Sequence, residues 1–306
     1  MSKRTPRRLP PFLQRVALGV WVCTLATASL AAPPATAPAP PTQAPPVAGQ
    51  PTDDGLTTPE ALATADAARA AAQAADDASQ PQERPKPIEE PRTEYLGRTL
   101  AEPMSHLGAA WLVRAERDLE ENASRAFKQL GLKPGMKVCD LGCGNGYWTL
   151  PIARDLGAEG RVYAVDIQVE MLQQLKARVA GRELTNVTPI LGDVDNPRLP
   201  EDVKLDLILQ VDVYHEFSHP QSMLWEMRRS LAPEGVIALL EYREEDPNVP
   251  IKPLHKMSKA QIMKEYQANG FKLVREYNEL PWQHLMFFAR DDSPLPEILP
   301  EPFVPK

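Results

Sequence analysis

Lys137-Val138-Cys139-Asp140-Leu141-Gly142-Cys143-Gly144-Asn145-Gly146-Tyr147-Trp148 is the stretch that decides the fold. Residues 136–141 predict a short buried strand, the three glycines a turn, and the residues from Tyr147 onward a helix. Glycines at alternate positions let backbone come close to a ligand, because none of them carries a Cβ. The start of the following helix turns its free N–H groups toward the same point. Asp140 stands two residues before the first glycine. The pattern is a ligand-binding turn built from Asp140, Gly142, Cys143, Gly144 and Gly146.

Downstream, strand and helix patterns alternate. Strands are predicted over 161–166, 187–191, 205–211 and 235–241, and helices over 147–156, 168–181, 220–231 and 258–269. Continuous apolar runs such as Leu205-Asp206-Leu207-Ile208-Leu209 and Val236-Ile237-Ala238-Leu239-Leu240 suit strands covered on both faces, which means a parallel sheet with right-handed crossovers. Two further strands, 271–277 and 283–290, predict an antiparallel hairpin at one edge. The fold class is therefore α/β: a doubly wound, mostly parallel seven-stranded sheet. Upstream, apolar residues from Leu107 to Leu130 recur at helical spacing, with Arg114, Glu116, Arg117, Asp118, Glu120 and Glu121 at polar positions. One amphipathic helix is expected there, stopped by Gly131 and followed by a Pro134-Gly135 turn.

The 306-residue chain is organised in four parts. Residues 1–32 have the form of an export signal or N-terminal anchor: Lys3, Arg4, Arg7 and Arg8, then an apolar run from Val16 to Leu30, then small residues at Ser29-Leu30-Ala31. Residues 9–32 would supply a membrane tether if uncleaved. The domain would then lie outside the cytoplasm, whereas a misassigned start would leave it cytoplasmic. Residues 33–93 read as a linker, since thirteen of the 33 prolines lie between Pro33 and Pro91 and the 59–79 stretch is alanine-rich. The folded domain is expected over 94–292, and a proline-rich surface tail over 293–306. A net charge of -7 gives no basic footprint for nucleic acid, so no nucleic-acid partner is expected. Three cysteines, Cys23, Cys139 and Cys143, do not make a disulfide framework. Cys139 and Cys143 have no further ligands nearby, so no metal is expected.

In open parallel sheets ligands sit at the carboxyl ends of strands, where strand order reverses. Val162-Tyr163-Ala164-Val165-Asp166 ends the second strand with a carboxylate. Such an acid can accept both hydroxyls of a ribose, which suggests a nucleoside-bearing cofactor; the alternative is a cap on the next helix. A dinucleotide site needs Gly-x-Gly-x-x-Gly, but Tyr147 stands where the last glycine would be.

The strand–Asp-x-Gly-x-Gly-x-Gly form resembles the first motif of the class I S-adenosylmethionine-dependent methyltransferases. The resemblance continues through Asp166, through Leu191-Gly192-Asp193-Val194, through the strand Leu205–Asp212, and through Leu231-Ala232-Pro233-Glu234-Gly235-Val236. It covers roughly 119–290 and is nearest to the small-molecule branch typified by ubiquinone/menaquinone C-methyltransferases. It implies S-adenosylmethionine as cofactor, with Asp140 near the amino group, Asp166 and Ile167 at the ribose, Asp193 and Val194 at adenine, and Val211 on the same wall. A methyl group already activated as a sulfonium mainly needs positioning. A general base helps only where the acceptor must lose a proton; the candidates are Asp212, Tyr214 and His215, with Glu216 beside them. His215 is either a base or substrate contact, or a helix cap and loop brace. The Asn/Asp-Pro-Pro-Tyr/Phe motif of enzymes acting on planar amino groups is absent. Two regions, one from His106 to Arg117 and one from Glu241 to Met257, combine aromatic and charged residues suited either to a lid or to ordinary surface. Trp282, Gln283 and His284 read as structural. Methyl transfer to a small molecule is the expected function. The alternatives are a silent S-adenosylmethionine-binding module tethered at the envelope, and an NAD-dependent oxidoreductase, which fits the glycine spacing less well.

Overall fold

The central strand is β1 (Lys137–Leu141), whose residues after Lys137 are all buried. In the computed structural model, which describes residues 86–304, it is flanked by β2 (Arg161–Asp166) on one side and β4 (Leu205–Val211) on the other, both parallel to it. β3 (Val187–Leu191) pairs parallel with β2, and β5 (Leu231–Tyr242) parallel with β4. β7 (Gln283–Arg290) runs antiparallel to β5, and β6 (Phe271–Tyr277) antiparallel to β7 at the edge. The sheet order is thus β3-β2-β1-β4-β5-β7-β6, the doubly wound sheet with an edge hairpin expected from the apolar runs. Direction of winding reverses between β1 and β4, so the carboxyl ends of these two strands open the crevice in which ligands bind.

Period-two alternation distributes the strands' side chains to two cores. On β4, Ile208 joins one apolar cluster while Leu207 and Leu209 join the other; Leu205, which precedes the register irregularity, falls in the cluster of Ile208. Helices α4 (Thr149–Leu156), α5 (Val169–Ala180), α6 (Pro220–Ser230) and α7 (Lys259–Ala268) cover the faces. β5 starts earlier than expected because Leu231 pairs with Leu205 across an irregular register before the regular ladder begins at Leu207–Val236. The helix after the glycine turn starts at Thr149, not Tyr147.

The single amphipathic helix expected between His106 and Leu130 is not formed. Three short helices take its place: α1 (Ala109–Leu112), α2 (Arg117–Glu121) and α3 (Ala123–Gln129). Asn122 at the last junction is left-handed, with φ 55°, a conformation asparagine tolerates better than most residues. The sequence periodicity misled here in both directions. Leu107 and Leu119 are 84% and 87% exposed, whereas Arg117 is buried.

Ordered contacts begin before the expected start at Glu94. Glu89 accepts from the amide of Ser222 at the start of α6, Arg92 donates to Gln221, and Lys86 pairs with Glu226. Residues 94–95 and 98–99 then form a two-stranded ribbon. The proline-rich tail is mostly exposed but tied down. The Ile298 amide donates to the Leu273 carbonyl, and Lys259 Nζ to the Glu301 carbonyl, which ties the tail to β6 and α7. Residues 1–85, with the expected leader and most of the linker, lie outside the described residues. Among the described residues no helix is long and apolar enough to cross a membrane.

Candidate active site

A cleft of about 460 Å³ opens at the carboxyl ends of β1 and β4. Its floor is the glycine turn. Gly142 has φ +75°, and a Cβ there would come within 2.4 Å of the Val213 side chain. Gly144 has φ +52°, and a Cβ would meet Leu112 at 2.7 Å. At Gly142 both the left-handed backbone and Val213 exclude a side chain, whereas at Gly144 the backbone disfavours one and the Leu112 methyl would have to shift. Gly146 differs from expectation: it does not line the cleft, and its Cβ would strike Leu175 of α5 at 2.4 Å. It is a packing glycine that lets α5 approach the turn.

The acids hold the floor in shape. Asp166 at the end of β2 accepts from the Gly144 amide and from the Gln168 amide, each at 2.9 Å. Burial raises its pKa against these two bonds, which lower it. It therefore both caps the approach to α5 and reaches across to the turn. Asp140 accepts from the Thr149 hydroxyl at 2.5 Å; burial, with a smaller contribution from the Asp166 charge, pushes its pKa up to about 6 despite that bond.

The remaining expected cofactor residues fall where the motif order predicted. Cys143, Ile167, Asp193, Val194 and Val211 all line the cleft with Asp140, Gly142, Gly144 and Asp166. Ile167 and Val194 stand 40% and 45% exposed at the ends of β2 and β3. Large apolar side chains left open on the loops after two neighbouring strands suit a flat apolar ring such as adenine. The carboxylates of Asp140 and Asp166 supply the hydrogen-bond acceptors that an ammonium and ribose hydroxyls require, so the residues present fit S-adenosylmethionine. Asp193 is paired with Arg198 at the rim.

The fourth-strand segment builds the opposite wall. Asp212, with φ 52°, lines the cleft and accepts twice from Gln283 Nε2, at 2.8 and 2.9 Å. Burial and the nearby Glu121 charge raise its pKa well above the carboxylate range, against Arg117 at 3.6 Å. Arg117 also pairs with Glu121 at 2.8 Å, and Tyr242 donates to Glu121. Tyr214 does not reach the cleft. It is fully buried, donates to Glu265 at 2.7 Å and packs edge-on to Tyr266 and Phe217. Its ring sits on the core side because the one-turn helix at 214–216 points successive side chains in different directions.

His215 points into the cleft. Its Nδ1 lies 2.7 Å from Glu241 Oε2, and its Nε2 lies 3.0 Å from His255 Nδ1. Burial opposes a charged imidazole here, but Glu241 outweighs it and the pKa is raised. Glu216 accepts from the Met104 amide, and burial pushes its pKa up to about 7. Both expected covering regions contribute, in part. Trp111 and Arg117 line the cleft from the first, and Pro250, Ile251, Lys252 and His255 from the second. His106 and Arg114 do not; Arg114 pairs instead with Glu120 and Glu121 and stacks on Trp111. Glu241 read only as the start of a covering region, although a single acid inside Leu239-Leu240-Glu241-Tyr242 marks a buried strand end that needs a polar partner.

A family model described as "Methyltransferase domain" matches residues 132–286, half of the chain, from β1 through the edge hairpin. The chain belongs to the S-adenosylmethionine-dependent methyltransferases. Demethylmenaquinone methyltransferase of Staphylococcus aureus is 32% identical over 128 residues, which are 42% of this chain and 51% of that one. The Geobacillus protein of the same name is 31% identical over 115 residues, 38% and 49% of the two chains. This methyltransferase chain thus spans about half the length of the curated relatives it matches. Among solved structures, a SAM-dependent methyltransferase from Aquifex aeolicus superposes with a TM-score of 0.57 at 24% identity, over 61% of this chain and 98% of that one. That likeness confirms the fold. Within this methyltransferase His215, Glu216 and His255 line the same cleft as the glycine turn.

Proposed function

We propose that the protein transfers the methyl group of S-adenosylmethionine to a small molecule held in the outer half of the same cleft. The observation that carries this reading is that one cleft gathers two sets of side chains. Asp140, Gly144, Asp166, Ile167 and Val194 come from the ends of β1, β2 and β3, and His215, Glu216, Ile251, Lys252 and His255 from the segments after β4 and β5, with Trp111 from α1. The bound cofactor would supply an electrophilic methyl on a sulfonium. The chain's task is to hold an acceptor atom in line with it and keep water out. The apolar lining from Met104, Trp111 and Ile251 suits a partly apolar acceptor, and Lys252 offers a cation to an anionic or polar handle. Where the acceptor has a proton to lose, the His215–Glu216–His255 cluster is the group of side chains that faces it. The cleft's largely apolar lining suits a small molecule, and the chain's net charge of -7 gives no basic footprint for a nucleic acid.

The test supplies methyl-labelled S-adenosylmethionine and a panel of low-molecular-weight hydroxyl, thiol, amine and quinol acceptors. Label in a small-molecule fraction, dependent on the intact glycine turn, is the expected result. Label recovered only in protein or nucleic acid would overturn the small-molecule reading.

A further inference from the structure

Three side chains on the acceptor wall surround one point. His215 Nε2 and His255 Nδ1 are 3.0 Å apart, and Glu216 Oε1 is 3.8 Å from each. At 3.8 Å Glu216 is beyond hydrogen-bond reach of either nitrogen but within ion-pair range of both, and the two nitrogens stand at hydrogen-bond distance from each other. The same three atoms are also spaced to hold one shared ion. The triangle with sides 3.0, 3.8 and 3.8 Å has its centre about 2.1 Å from every corner, which is the length of a zinc–nitrogen or zinc–oxygen bond.

The surroundings are those of a metal ligand set. The carboxylate of Glu241 accepts from His215 Nδ1 at 2.7 Å, and its other oxygen accepts from the His215 amide at 3.2 Å. This fixes the proton on Nδ1 and turns the Nε2 lone pair toward His255 and Glu216, the carboxylate–histidine arrangement that supports a metal-bound imidazole. Glu216 is held by the Met104 amide. The three residues come from two segments, the 214–216 turn after β4 and the 253–255 turn after β5, so the site exists only in the folded chain. His215 and Glu216 are well covered while the His255 side chain is 29% exposed, leaving one side open to the cleft.

We propose that His215, Glu216 and His255 bind a divalent first-row transition-metal ion such as Zn2+, with Glu241 as the positioning residue for His215. Two imidazoles and one carboxylate favour such an ion over Mg2+ or Ca2+, which prefer all-oxygen shells. Three protein ligands and an open fourth position form a site that can take a hydroxyl or thiol from a molecule in the cleft. With the ion in place, Nε2 of His215 has no free lone pair, so the cluster would act on an acceptor through the ion and not as an imidazole base. The proposal rests on these four side chains and does not depend on the methyl-transfer reading.

The full chain, with any affinity tag removed, is dialysed against micromolar Zn2+ and the bound metal is counted by mass spectrometry. One equivalent per chain is expected, resistant to excess Mg2+. His255→Ala, whose side chain is partly exposed, should keep the wild-type circular dichroism and melting temperature while losing the bound zinc, and Glu216→Gln should do the same. Glu241→Gln should weaken affinity about 10- to 100-fold. Co2+ in place of Zn2+ should give visible d–d bands that His255→Ala abolishes. A wild-type chain that retains no stoichiometric zinc, or a folded His255→Ala that retains as much as wild type, would overturn the proposal.

Discussion

The carboxylate of Asp166 accepts the Gly144 amide at 2.9 Å, so the acid at the end of β2 and the glycine turn after β1 are one unit. A ribose bound at Asp166 would therefore sit directly against the turn. The same bond means that removing the carboxylate loosens the turn as well. Asp166→Asn, which keeps an acceptor oxygen, separates the two effects. We expect Asp166→Asn to retain the wild-type melting temperature more closely than Asp166→Ala, while both lose cofactor affinity, and thermal melts beside calorimetric titration would show it.

At Gly142 the turn is fixed by backbone and by contact. Gly142→Ala should cost about 1–2 kcal/mol for the left-handed conformation, with the overlap against Val213 adding to it. The double substitution Gly142→Ala, Val213→Ala should recover the larger part of the overlap and none of the conformational cost. Urea denaturation of the four proteins of the cycle measures both.

The pKa of Asp140, about 6, gives a pH dependence with a definite sign. The folded state binds this proton more readily than the unfolded chain. Asp140 therefore contributes stability below the ordinary carboxyl pKa, and that contribution is lost as pH rises through about 6. Cofactor binding runs the other way. If the ionised acid faces the cofactor's ammonium, affinity falls as pH drops through about 6, and Asp140→Asn should flatten that profile. A wild-type affinity constant from pH 5 to 8 would remove Asp140 from the ammonium site.

Arg117 is buried between Glu121 and Asp212. Arg117→Ala removes the cation from between two buried acids, leaving Glu121 with Arg114 and Tyr242 and Asp212 with Gln283, and should destabilise the fold by about 3 kcal/mol, the low end for breaking a buried pair. Arg117→Met, combined with Glu121→Gln and Asp212→Asn, should recover much of it. Chemical denaturation is the readout.

Tyr214 supplies a test of placement. Tyr214→Phe removes a buried hydroxyl bonded to Glu265 and should cost about 1–3 kcal/mol, with turnover per folded molecule unchanged. Abolished turnover in a stably folded Tyr214→Phe would show that the residue acts at the cleft.

The sheet and the cofactor end were legible because their signals are local. Apolar runs mark buried strands, alternate glycines mark a close turn, and acids at strand ends mark the crevice. All the expected cofactor residues except Gly146 line one cleft. Gly146 is the instructive miss, because a glycine required for helix packing and one required for a ligand look alike in sequence. Tyr214 and His215 are neighbours that a short helical turn sends to opposite sides of the backbone, into core and cleft, which spacing alone does not reveal. Arg117 and Glu121 read as a polar helix face, yet long-range pairing with Asp212 and Tyr242 draws them inside. The His215–Glu216–His255 grouping was hidden for the same reason. It joins residues about forty positions apart through the path of the β5–α7 connection, and no local pattern records that path.

Titration of S-adenosylmethionine into the full chain by isothermal calorimetry tests the central claim most directly. The site described here predicts one cofactor per chain, with affinity reduced on the order of 10- to 100-fold in Asp166→Ala, the loss appropriate to hydrogen bonds made by a charged acceptor. No binding by the wild-type chain, or the same affinity in a folded Asp166→Ala, would contradict it.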